Sequence, residues 1–256
     1  MRDQIRFTFH ALRITSSFDI LAIEIYNKCG EMQMDIPPAI AAIAPDGRLT
    51  PAQRRRFMID FCRRRIRPGA GSAPEFLQRR TAMNPWPDLR PILEGIPWAI
   101  VGGVATRAYM PERGTKDLDI LVRWRDGDEV RERLEAAGYR YISRLAVPGF
   151  LARSPEGVDL DVIFGDYPWL DEALARPRQD AAGYPVLALP YLVLMKMASS
   201  RVQDTADVSR MLGLASDEEL ARVRRVTALY APEEVGDLES LIYLGQMEYA
   251  HQDSGR

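Results

Sequence analysis

Lysine is nearly absent from this chain of 256 residues: Lys28, Lys116 and Lys196 stand against 31 arginines. Such a bias is what a GC-rich coding sequence imposes, and under it lysine persists mainly where arginine will not serve. Histidine is scarcer still. His10 and His251 lie near the two ends and leave no material for a histidine-based triad. Cys29 and Cys62 are too few for a disulfide framework, and no Cys/His cluster has zinc-binding spacing. No apolar run is long enough for a membrane helix, since Val186 to Ala198 is interrupted by Pro190 and Lys196. The first thirty residues carry charges throughout and lack a signal-peptide core, so the expected location is the cytoplasm. There is no internal repeat and no low-complexity segment.

What is present is concentrated between residues 98 and 122. Trp98-Ala-Ile-Val101 reads as a short buried strand that runs into Gly102-Gly103 and a helix-prone Val104–Tyr109. Glycines between a strand and a helix let backbone N–H groups approach an anion at the helix N-terminus. Thirteen residues later comes Asp117-Leu-Asp119-Ile-Leu-Val122, an alternating strand that places Asp117 and Asp119 on one face. Two carboxylates held close repel each other unless a cation sits between them, and hard oxygen ligands suit Mg²⁺. A phosphate cradle beside a carboxylate pair points to nucleotide chemistry. The bland alternative for a lone Asp-x-Asp is a solvated strand edge, and glycosyltransferases also use that pattern.

The run Gly102-Gly103, spacer, Arg113-x-Thr115-x-Asp117-x-Asp119 resembles the nucleotidyltransferase superfamily that includes DNA polymerase beta. More narrowly it is similar to the AbiEii-type and minimal nucleotidyltransferases found in toxin–antitoxin pairs. The resemblance covers roughly residues 95 to 210 and implies transfer of a nucleotidyl group from an NTP to an acceptor hydroxyl. Implied with it are two Mg²⁺ ions (Mn²⁺ as a substitute) and a third carboxylate on a later strand. Gly157-Val-Asp159-Leu-Asp161-Val-Ile-Phe-Gly165 supplies that strand. Family strands of this type usually read apolar-Asp-apolar-apolar before a glycine turn, which favours Asp161 over Asp159, although spacing alone leaves both open. The resemblance makes Asp117, Asp119 and Asp161 catalytic and metal-binding. It makes Gly102, Gly103, Arg113, Thr115, Lys196 and Arg201 nucleotide-binding, with Asp204 and Asp207 orienting Lys196 or pairing with Arg201. The implied partners are an NTP, an RNA acceptor such as a tRNA 3′ end or else a protein, and a cognate antitoxin. A small-molecule acceptor of the antibiotic type, or a silent nucleotide-binding regulator, is the alternative. The spacer between glycines and aspartates is long for the family.

The expected fold class is α/β (α+β): a small mixed β-sheet nucleotidyltransferase core flanked by helices. Residues 1–92 form a mostly helical basic extension, 93–189 the catalytic core and 190–256 a helical region. Within the core, strands are expected at 98–101, 117–122, 139–145, 150–154, 158–164 and 184–189, with a helix at 128–137 stopped by Gly138. Thr50-Pro-Ala-Gln53 opens a helix running from Arg54 to Arg67 with seven arginines, and Ser216-Asp-Glu-Glu219 is a capping box. Pro232-Glu-Glu opens a final helix through Tyr249. Residues 1–95 hold fifteen basic and ten acidic side chains, the rest nineteen and twenty-six. The basic helix is either a solvated helix packed on the core or a guide for RNA phosphates. No aromatic platform for stacked bases stands out.

Overall fold

The computed structural model describes residues 36, 38–66, 86–111, 114, 115, 117–199 and 201–250. Lys28, both histidines, Cys29, Arg67, the stretch at 68–74, Arg113 and Lys116 lie outside the described residues. The chain divides between Leu49 and Thr50. In the first unit the described residues contain one helical turn, Pro38–Ala41. Everything below concerns the second unit.

Its first helix, α1 (Pro51–Arg63), begins where the sequence predicts and for the predicted reason. The Thr50 hydroxyl accepts from the Gln53 N–H at 3.2 Å, and the Gln53 side chain accepts from the Thr50 N–H at 2.9 Å. Two N–H groups that the first turn leaves without helical partners are thereby satisfied. The helix ends at Arg63, four residues short of the expected Arg67.

Among the described residues the sheet has seven strands in the order β3-β4-β5-β2-β1-β7-β6. They are β1 (Trp98–Ile100), β2 (Asp117–Arg123), β3 (Arg140–Arg144), β4 (Gly149–Arg153), β5 (Asp159–Gly165), β6 (Arg178–Gln179) and β7 (Pro185–Val186). The sheet is mixed: β2 runs antiparallel to β1 and parallel to β5. The period-2 reading of β2 and β5 holds, with Leu118, Ile120, Leu160 and Val162 buried while the aspartates between them are half-buried. Each such aliphatic side chain contributes about 2 kcal/mol by leaving water. The expected strand at 184–189 shrinks to two residues because a helix already starts at Leu189. A short strand, β6, and a short helix, Leu170–Ala175, had no sequence signal.

The helices are α2 (Gly102–Ala105), α3 (Gly127–Ala136), α4 (Leu170–Ala175), α5 (Leu189–Ser199), α6 (Val202–Leu214), α7 (Asp217–Tyr230) and α8 (Val235–Tyr249). The predicted capping box opens α7. Helices α6 and α8 cross with their main chains touching: a Cβ on Gly245 would lie 1.9 Å from the Ser209 carbonyl oxygen. Helix α1 is fastened to this group by Arg55, which is 2% exposed. Its guanidinium donates to Asp237 (2.9 Å) and to the Met197 carbonyl (2.6 Å), and lies 2.8 Å from Glu234. No helix among the described residues is long and apolar enough to cross a membrane.

Candidate active site

Strands β2 and β5 are parallel neighbours in register, Asp117 beside Asp159 and Asp119 beside Asp161. Partners in adjacent strands share a face and stand ~4.8 Å apart in backbone terms. Four carboxylates therefore emerge together from one patch of sheet. What each one touches separates them.

Asp159 is held by the strand on its far side. Arg153 of β4 is its register partner and donates Nε to its carboxylate at 2.7 Å. Asp161 sits opposite Leu151 instead, and no basic side chain among the described residues pairs with it. Burial, then Asp117 and Asp159, push its carboxyl above the usual range. Asp117 accepts from the Thr115 hydroxyl at 2.7 Å. Asp119 is the most perturbed. Burial raises it first, Asp117 and Asp161 add to the shift, and its pKa reaches about 6 despite the Gly103 N–H and the nearby charge of Arg201.

The glycine turn is built around Asp119. Val101 donates its N–H to the Asp119 carbonyl at 2.9 Å, which brings the end of β1 against β2. Gly102 then turns the chain with φ +61°, and a Cβ there would lie 2.0 Å from Asp119 Oδ2. The backbone hydrogen bond that steadies the Asp119 carboxylate comes from Gly103. The Thr106 hydroxyl locks the turn from behind by donating to the Gly103 carbonyl at 2.8 Å. We expect Gly102→Ala to lower activity about 100-fold and to destabilise the fold by about 1–3 kcal/mol, because both the left-handed backbone and the carboxylate must move. Steady-state kinetics and thermal melts check this; a variant with wild-type turnover would show that the turn does not set the position of Asp119.

A second cluster stands beside the first. Lys196, near the end of α5, is 4% exposed and donates to Asp204 (2.7 Å) and Asp207 (2.9 Å), both buried on α6. Arg201, between the two helices, donates to the other oxygen of Asp204 at 2.6 Å, as Ser199 does at 2.5 Å. Burial alone would raise the Asp204 carboxyl, but Arg201, Lys196 and Ser199 together hold it below the ordinary range. Both readings of the Lys196 segment are thus present at once: Asp204 orients the lysine and pairs with the arginine. The Lys196 ammonium is committed to these carboxylates, while the Arg201 side chain is 73% exposed and interacts electrostatically with Asp119.

Among the described residues no three His, Cys, Asp or Glu side chains are already drawn into a metal cage. In chemistry the donors fit a hard divalent cation. Asp119 and Asp161 are raised partly by their like-charged neighbours, which is the repulsion a cation relieves. Sequence reasoning missed Arg153, Thr106 and the buried role of Arg55, since a cross-strand or helix-to-helix partner leaves no local signal. A cavity of about 330 Å³ lies elsewhere, lined by Tyr109, Arg176, Arg178, Leu189, Glu219 and Arg222 among others.

No protein-family model matches the chain, and no curated protein matches it significantly. Ten solved chains are similar in structure. The antibiotic-resistance factor ANT(2″)-Ia is 20% identical, over 60% of this chain and 84% of its own, with a TM-score of 0.34. A provisionally assigned nucleotidyltransferase from Thermotoga maritima is 15% identical, over 54% and 93%, with a TM-score of 0.36. The Cid1 poly(U) polymerase is 15% identical, over 68% and 47%, with a TM-score of 0.27. At these identities and scores the likenesses are remote, and the chemistry has to be read from the site itself.

Proposed function

We propose that this chain is a nucleotidyltransferase that moves an NMP from an NTP to an acceptor hydroxyl. The observation that carries the reading is the in-register pair of Asp-x-Asp strands with Gly102 packed onto Asp119. Two Mg²⁺ ions, or Mn²⁺ in their place, held by Asp117, Asp119 and Asp161 would neutralise the triphosphate and acidify the acceptor hydroxyl. The acceptor oxygen attacks the α-phosphorus, the bond to the bridging oxygen breaks, and pyrophosphate leaves. Asp161 takes the acceptor's proton. Gly102 and Gly103 line the phosphate end of the site. Arg201, exposed and interacting electrostatically with Asp119, offsets charge on the departing pyrophosphate. Lys196 is a positioning residue: through the shared Asp204 it fixes where Arg201 stands. In this reading Asp159 is a strut for the sheet, tied to Arg153, and Asp161 is the third ligand. Thr115 steers the Asp117 carboxylate.

For the acceptor we favour RNA, with the 3′ end of tRNA as its simplest form, in a toxin-like enzyme of the AbiEii type paired with an antitoxin. A cytoplasmic location, where NTPs and RNA are both available, goes with this reading. The test is incubation of purified protein with Mg²⁺, each of the four α-labelled NTPs and total tRNA. Label entering RNA, and absent with Asp119→Ala, is the expected result. Label on protein moves the acceptor to a polypeptide hydroxyl. No transfer at all, with NTP still bound, overturns the RNA acceptor and leaves a small-molecule acceptor or a silent nucleotide-binding regulator.

A further inference from the structure

Exposed arginines are scattered over this protein, and one alone marks nothing. The cavity of about 330 Å³ differs because three of them, Arg176, Arg178 and Arg222, line it together. Among the described residues Glu219 is the one carboxylate in that lining. Arg178 donates to Glu219 at 3.1 Å and lies 4.9 Å over the Tyr109 ring. Arg222 pairs with Glu218, one turn back on α7, whose side chain is 77% exposed. Arg176 pairs with no acidic side chain among the described residues. Leu189 and Pro190 give the cavity an apolar side, and the Tyr109 hydroxyl is already committed to the Leu187 carbonyl at 2.8 Å. A smaller cavity of about 130 Å³ is lined by the same Tyr109, Arg178, Leu189 and Glu219. The Arg178–Glu219 pair therefore stands between two spaces.

Three guanidinium groups around one space call for an anion, and one carboxylate answers only one of them. A carboxylate ligand presents two oxygens and fills a single guanidinium fork, whereas a phosphate group presents a tetrahedron of acceptors and can serve several. A nucleic-acid strand would need a track of cations; here they ring a single cavity, at the small end of the range for small-molecule sites, about 300–1,000 Å³. The carboxylate site is a separate place. None of Asp117, Asp119, Asp161, Gly102 or Arg201 lines the cavity. Leu189 and Pro190 begin α5, and Ser199, which joins the Arg201 cluster, ends it. Roughly 15 Å of helix lies between the two ends. A phosphate held here is not one on which the carboxylates act.

We propose that this cavity binds the phosphate group of a small molecule, with Arg176 and Arg222 as its first contacts and Arg178 joining them as it exchanges Glu219 for the ligand. The proposal does not rest on the transferase reading. The test is isothermal titration calorimetry on the full-length protein, in metal-free buffer with a chelator, using inorganic phosphate, adenosine monophosphate and adenosine. Phosphate or its ester is expected to bind and adenosine is not. Equal affinity for the two phosphates assigns the site to the free anion, and tighter binding of the ester assigns it to a phosphate ester whose body lies on Leu189 and Tyr109; both support the proposal. The combined Arg176→Gln and Arg222→Gln variant is expected to bind about tenfold more weakly or worse. Glu219→Gln is expected to bind about threefold more tightly, because it frees Arg178, while glutamine still completes the capping box of α7. A gain of affinity is an effect that damage to the fold would not produce, so this variant decides the matter if the double variant melts early. Asp119→Ala should bind as wild type does. The proposal is overturned if neither phosphate binds, if adenosine binds as well as its monophosphate, or if the arginine variant keeps full affinity. It is equally overturned if Asp119→Ala abolishes binding, which would put the ligand in the carboxylate site.

Discussion

Asp119→Asn will cut the proposed nucleotidyl transfer by about 1,000-fold or more and, in metal-free buffer, will stabilise the protein at neutral pH. The first half follows from position. Asp119 is the carboxylate against which the glycine turn is folded, so its charge is placed better than any neighbour's. The second half follows from its pKa of about 6, raised by burial and then by Asp117 and Asp161. A carboxyl whose pKa is raised on folding holds its proton more tightly in the native state. Stability then falls as pH rises, beginning near the unfolded value and levelling off above the folded one. Two units correspond to about 3 kcal/mol, incurred between pH ~4 and ~6 and present in full at pH 7.5. Asparagine removes the charge and with it that cost. Thermal melts with a chelator present should therefore show a gain for the variant of several degrees at pH 7.5 and little at pH 4. Equal melting temperatures at pH 7.5 would falsify the claim that the carboxylates strain one another. Asp159→Asn is expected to change activity much less, because Arg153 already occupies that side chain.

Lys196→Met will destabilise the fold by about 3–5 kcal/mol, the usual cost of removing one partner from a buried ion cluster. The methionine fills the volume but leaves Asp204 and Asp207 facing each other in the interior without the ammonium that joins them. Two further readouts separate a purely structural effect from a positioning one. Adding Asp207→Asn should restore part of the stability, since one of the stranded charges is then gone. If Lys196 fixes Arg201 by holding Asp204 in place, kcat should fall in the double variant while stability recovers. A double variant with full stability and full kcat would assign Lys196 to folding alone. The wild-type cluster also has an acid limit. Because the Asp204 carboxyl is held below its ordinary range, its contribution is complete above the unfolded value and is lost as pH falls through the lower folded one.

The face on which the aspartates lie was legible because a strand has period two and both Asp-x-Asp runs sit among aliphatic residues. Which of Asp159 and Asp161 is the free carboxylate was not legible. The answer depends on Arg153, which reaches Asp159 only because β4 and β5 pair antiparallel in one particular register. The same holds for Arg55. In a run of similar arginines nothing local distinguishes the one that turns inward, and the choice is made by Asp237 and Met197, on helices far along the chain. Helix starts were legible at Thr50 and Ser216, where the capping chemistry is contained within four residues. Elements of two to six residues, such as β6 and α4, escaped because they are too short for any periodicity to develop.

The pairing of β2 with β5 has a consequence for how the chain assembles. The two strands are neighbours in space and 42 positions apart in the chain, so their alignment has to be found by search. A slip of one residue would turn Asp159 and Asp161 toward the interior and push Leu160 and Val162 out into water. Burying two carboxylates costs far more than a misaligned ladder can return. The carboxylates on this face therefore also specify the register, since a one-residue slip would bury them.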